Sequence, residues 1–151
     1  EAGIADYFIP LVYAVVNVAH VAVAIPAGVV SDRIGKEKVM VLGYSVFLCT
    51  ALLFMVPVTG VFAIVIAILF GAYIGIVETV QRALIPDYVS ENLRGTAYGL
   101  YYLVVGSAFF VSNAVVGLLW NSFGSSTASI YSVALSAIAI LAMIAFIRKK
   151  P

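Results

Sequence analysis

Gly28-Val29-Val30-Ser31-Asp32-Arg33-Ile34-Gly35-Lys36-Glu37-Lys38 places five charged side chains between two long runs that carry none. Tyr7 to Val30 on one side and Val39 to Val56 on the other lack Asp, Glu, Lys and Arg altogether. A helix needs about 20 mainly apolar residues to cross a hydrocarbon core ~30 Å thick, and its backbone polar groups must be satisfied internally there. The charged stretch therefore reads as the point where the chain leaves a bilayer, turns and re-enters.

The rest of the sequence repeats this pattern. Apolar runs also cover Val61 to Leu84, Thr96 to Leu119 and Ala128 to Ile147. With spans predicted over 7–30, 39–56, 61–84, 96–119 and 128–147 (helices A to E), residues 1–151 read as a single membrane domain: an all-α, polytopic bundle of five transmembrane helices. Only helix C carries charge, at Glu78 and Arg82. Pro57 and Gly60 frame a turn between B and C, Pro86 closes C, and Trp120 to Thr127 forms a polar turn between D and E. Pro26 lies inside helix A, where membrane helices tolerate it.

Composition supports the same class. The 151 residues are 64% hydrophobic and 10% charged, whereas soluble domains carry about 25% charged residues. A soluble helical domain of this size could not hide so much apolar surface. The net charge of +1 gives no general attraction to nucleic acid. The lone Cys49 sits in an apolar run and reads as a small helix side chain. No phosphate-binding glycine loop, metal-ligand cluster or nucleophile–base pair is visible, so no cofactor, metal or catalysis is expected. The sequence opens on Glu1 with no basic n-region before the first apolar run. We expect it to be a piece of a longer or processed chain.

The basic residues orient the helices. Arg33, Lys36 and Lys38 lie between A and B, Arg82 and Arg94 flank the C–D connection, and Arg148, Lys149 and Lys150 form the tail. These are all eight Lys and Arg residues. The positive-inside rule then puts A–B, C–D and the C-terminus in the cytoplasm of a multi-pass cell-membrane protein. The segment before helix A, with Glu1 and Asp6, falls outside.

The A–B stretch resembles the signature loop of the major facilitator superfamily: Gly28, three residues, Asp32, basic Arg33, one residue, Gly35, then basic Lys36 and Lys38. Glu37 departs from the usual second consecutive basic residue. A second patch, Gly75 to Asp87 leading into Glu91 to Gly99, is similar to the tenth helix, cytoplasmic loop and eleventh-helix start of the same superfamily. On that resemblance helices A to E are eight to twelve, with two to six as the other register. The chain would be most of one half-bundle, partnered by the lipid bilayer, an N-terminal half and one further helix. The implied function is alternating-access transport of a small-molecule substrate, driven by a proton or solute gradient. A non-transporting scaffold or assembly subunit with the same fold is the alternative, and an intramembrane enzyme lacks visible catalytic groups.

Individual residues acquire candidate roles. Gly28 lets a neighbouring helix approach, Gly35 permits a sharp turn, and Arg33 and Lys36 hold the loop at the surface. Asp32 is placed to accept from a helix N-terminus or to pair with a cation. By resemblance, Asp32 would meet Arg94 and Gly95 at the start of helix D, with Glu78 and Arg82 nearby, as a charge relay latching one state. Glu78 and Arg82, four apart on one helix face, are also readable as a self-neutralising local pair. His20 lies near the middle of helix A on a stripe with Tyr13, Asn17 and Ala24. An ionisable group at that depth faces a cavity or another helix. Asn17, His20, Tyr102 and Asn113 are candidate cavity residues, against a plain role as interhelical hydrogen-bond partners. Gly71/Gly75 and Gly95/Gly99 are spaced for close helix packing.

Overall fold

The computed structural model describes residues 8–56 and 60–149. The expected features at Glu1, Asp6, Tyr7, Pro57 and Lys150 lie outside the described residues. Five α-helices follow one another: α1 (Ile9–Ile34), α2 (Lys36–Leu53), α3 (Gly60–Tyr88), α4 (Arg94–Phe123) and α5 (Ser125–Lys149). A 3-10 turn, Glu91–Leu93, leads into α4, and no strand occurs among the described residues.

The helices run further into the connections than the apolar runs suggest. The A–B connection shrinks to Gly35, because α1 continues through Ser31, Asp32 and Arg33 and α2 begins at Lys36. Gly35 has φ 102°, a left-handed value that a side chain would strain, and its N–H donates to the Ser31 carbonyl 3.1 Å away. The predicted eight-residue turn from Trp120 to Thr127 likewise collapses to Gly124, at φ 85°, whose N–H donates to the Trp120 carbonyl at 3.0 Å. Polar and charged residues leave lipid readily but do not break a helix; a positive φ does.

Pro86 does not close α3, which runs on to Tyr88. A proline at that point cannot donate to the carbonyl four residues back, on Arg82. The Tyr98 hydroxyl from α4 donates to that carbonyl instead, at 3.1 Å. The orphaned acceptor is thus satisfied across a helix pair, as a low-dielectric setting requires.

α3 is the central helix and packs against α1, α2 and α4, while α5 closes on α2 and α4. α1 runs parallel to α3 at very short range. A Cβ on Gly75 would stand 2.6 Å from the His20 carbonyl oxygen, and one on Gly71 would collide with the Val16 carbonyl oxygen. The Gly71/Gly75 pair is therefore a packing face, as its spacing predicts. A Cβ on Gly95 or Gly99 would meet nothing within 4 Å, so that pair serves no contact among the described residues. α2 runs antiparallel to α3, with Gly43 pressed on Ile76 and Val77.

Val39, Met40 and Val80 form a buried core, with Tyr44, Ile76, Leu84 and Met143 packed around it. This cluster joins the start of α2 to the ends of α3 and α5. The described basic residues consequently gather toward one end of the bundle. The buried hydroxyls of Ser31, Thr50, Ser129 and Ser136 donate to carbonyls three or four residues back in their own helices.

The outer surface is apolar: Phe110 is 77% exposed, Ile25 76% and Phe123 72%. Each such side chain left in water forfeits about 1.5–3 kcal/mol, so this surface belongs in lipid or against other apolar helices. The segments bearing α1, α3, α4 and α5 are long and apolar enough to span a bilayer. α2, at 18 residues, opens on Lys36, Glu37 and Lys38 and is the shortest of the five helices. The protein is a multi-pass membrane bundle.

Candidate functional site

Glu78 on α3 lies between α1 on one side and a cavity toward α2 and α4 on the other. Its Oε2 lies 3.3 Å from Nη2 of Arg82, one turn along α3, and 3.9 Å from Nε2 of His20 on α1. The close approach at Gly75 carries the His20 backbone toward this part of α3. Arg82 is further tied to α3 by its Nε, which donates to the Glu78 carbonyl at 3.1 Å. Glu78 and Arg82 are both near half exposed, at 44% and 43% of their side chains.

That exposure opens onto a cavity of about 500 Å³ between α2, α3 and α4. Its lining includes Tyr44, Tyr73, Glu78, Gln81, Arg82, Tyr101 and Tyr102, with Val105 and Phe109 among the apolar residues. Tyr73 sits at the middle of α3 and Arg82 nine residues on, so the cavity runs roughly 13 Å along the helix from mid-span toward the basic end. Its volume lies in the range that holds small molecules. A hydrogen-bonded strip crosses it: the Tyr101 hydroxyl donates to Gln81 Oε1 at 2.8 Å, and Gln81 Nε2 donates to the Tyr44 hydroxyl at 3.4 Å. Tyr73 is held from behind by Phe47, with ring centroids 4.7 Å apart.

The structure sorts the predicted residues. Tyr102 lines the cavity, and His20 reaches it through Glu78. Asn17 is exposed and spends its amide on the Tyr13 carbonyl at 2.8 Å, and Asn113 is exposed; neither lines this cavity. Of the expected relay, Glu78 and Arg82 meet, while Arg94 pairs with Glu91 at 3.4 Å. Asp32 is exposed and makes no hydrogen bond or ion pair among the described residues, so the Asp32–Arg94 contact is not formed in this structure. The signature stretch engages α3 through Lys36. Its Nζ donates to Asp87 Oδ2 at 2.6 Å and to the Ala83 carbonyl at 2.8 Å. A Cβ on Gly28 would meet only Thr79 Cγ2 at 3.6 Å, an ordinary contact, so the close approach expected there occurs at Gly71 and Gly75 instead.

Tyr44, Tyr73, Gln81 and Tyr101 were not predicted to line a site. Tyr73 and Gln81 carry one sequence signal, their four-residue spacing with Val77 on a single face of α3; Tyr44 and Tyr101, on α2 and α4, carry none.

The fold thus presents a parallel α1–α3 pair joined at glycines, a glycine hinge between α1 and α2 with an acid and bases beside it, and a polar-tipped cavity on α3. The Major Facilitator Superfamily model matches residues 1–151, the entire chain. The chain belongs to the Major Facilitator Superfamily. Within that superfamily it is 32% identical over 109 residues to an uncharacterized MFS-type transporter of Methanocaldococcus jannaschii, covering 72% of this chain and 27% of the relative. It is 28% identical over 149 residues to uncharacterized proteins of Mycobacterium bovis and Mycobacterium tuberculosis, covering 98% of this chain and 36% of each relative. The chain therefore spans about a third of the length of the curated relatives it matches. No solved structure matches it.

Proposed function

We propose that this chain is most of one half of a secondary transporter that moves a small solute by alternating access. The cavity at Glu78 and Arg82 would be its contribution to the solute path. The observation that carries this reading is a half-exposed ion pair held inside an apolar span, beside a cavity that begins at mid-helix. Charged groups within a spanning helix are kept where they face a cavity, a pathway or the nearby interface.

In this reading helices A to E are the eighth to twelfth of the complete protein, and an N-terminal half with one further helix completes the bundle. The two halves rock about a midplane site. The basic end faces the cytoplasm of the cell membrane, which puts the C-terminus inside. The Lys36–Asp87 pair and the exposed Asp32 would form the gate at that end: contacts made in one state and hydrated in the other bias the equilibrium between states. Protons or a second solute would supply the drive, with His20 and Glu78 as the groups placed to respond.

Two measurements test this. In a Cys49→Ala background, thiols introduced at Lys38 and Asn92 should label from one side of the membrane, and one at Ser126 from the other. Intact protein reconstituted in vesicles should accumulate a solute under an imposed proton or sodium gradient. Labelling of Lys38→Cys and Asn92→Cys from opposite faces would overturn the topology. Absence of uptake across a broad solute panel would favour the non-transporting scaffold.

A further inference from the structure

The charges in the cavity are equal, opposite and incompletely used. Arg82 Nη2 and His20 Nε2 both approach Oε2 of Glu78, and Oε1 has no partner among the described residues. Arg82 commits Nε to a backbone carbonyl and Nη2 to Glu78, which leaves Nη1 uncommitted among the described residues. The pair itself is loose: 3.3 Å exceeds the 2.7–2.9 Å usual for a charge-assisted N–H···O bond. A carboxylate oxygen and a guanidinium nitrogen thus stand side by side, each with capacity to spare, at the wall of a 500 Å³ cavity.

A ligand bearing only positive charge would satisfy Glu78 and be repelled by Arg82, and a purely anionic one would meet the reverse. A ligand with an ammonium and a carboxylate on neighbouring atoms satisfies both and adds no net charge to a site whose own charges already balance. The remaining wall is apolar and aromatic, with Tyr73, Tyr101 and Tyr102 offering ring faces and edges. Gln81 and the Tyr44 hydroxyl are engaged with each other and with Tyr101. They frame the cavity and do not add a further charged pole.

We propose that the cavity binds a compact zwitterion carrying an apolar or aromatic group, with its ammonium on Glu78 and its carboxylate on Arg82. This rests on the transporter reading above and specifies its substrate class.

The test uses three probes that share one ring and nearly one size: L-phenylalanine as zwitterion, L-phenylalaninamide as cation and N-acetyl-L-phenylalanine as anion. Binding of each to the intact protein in detergent is measured by titration calorimetry. The zwitterion should bind at least tenfold tighter than either singly charged probe. Glu78→Gln should turn the preference toward the anion, and Arg82→Gln toward the cation. A reversal of charge preference cannot arise from poor folding. Equal binding of all three probes, binding of none, or variants that weaken all three alike would overturn the proposal. Gradient-driven uptake of a different solute, with no zwitterion binding, would sink this inference while leaving the transporter reading intact. No uptake of any solute would remove both.

Discussion

Lys36 and Asp87 form a 2.6 Å ion pair that ties the start of α2 to the last turn of α3, and the same ammonium also caps the Ala83 carbonyl. Asp87 is half exposed, so the pair contributes only about 0–1 kcal/mol to stability. Its interest lies in being breakable. Asp87→Asn and Lys36→Gln should each change transport turnover, and the double variant should resemble the more affected single one. Additive effects in vesicle uptake would show that the two residues act independently.

Asp32 is exposed and makes no hydrogen bond or ion pair among the described residues, and in the proposed mechanism it pairs in the other conformational state. Asp32→Asn should slow turnover without abolishing substrate binding. Unchanged uptake by the variant in reconstituted vesicles would count against a gating role.

The α1–α3 contact offers a test of packing. Gly71→Ala and Gly75→Ala put a methyl against the backbone of α1, which must shift. Overpacking of this kind costs about 1–3 kcal/mol. Gly99→Ala, with open space around it, should stay within about 0.5 kcal/mol. Thermal unfolding in detergent compares the three directly, and equal losses would mean that the glycine face is not what joins the helices.

Tyr98→Phe removes the hydroxyl that serves the Arg82 carbonyl opposite Pro86. The expected loss is about 1 kcal/mol. Pro86→Ala restores a backbone donor in its place, so the combination Tyr98→Phe with Pro86→Ala should recover much of that loss. A Tyr98→Phe protein as stable as the parent would show that the carbonyl finds another donor.

His20 joins α1 to the carboxylate that faces the cavity. His20→Ala should lower uptake, because it removes the α1 side chain that approaches Glu78. A wild-type uptake rate would exclude it from the mechanism.

The sequence by itself determined that the chain is an all-helical membrane bundle, but not how far its helices run into their connections. Lipid imposes a local demand, an unbroken apolar run with internal hydrogen bonding, and a local demand is written in consecutive residues. The glycine-flanked charged stretch and its resemblance to the superfamily loop were legible for the same reason. Only the tertiary structure decided which polar residues meet. Glycine pairs at 71/75 and 95/99 look alike in sequence, yet among the described residues only the first is pressed on a neighbouring helix. Lys36 found Asp87, Arg94 stayed with Glu91, and Tyr44, Tyr73, Gln81 and Tyr101, from three different helices, came together with Tyr102 around one cavity. Helices that are apolar almost all round do not reveal by periodicity which face turns inward. That choice rests on rotation about each axis and on how closely neighbours can approach, which the glycines of α3 set for α1.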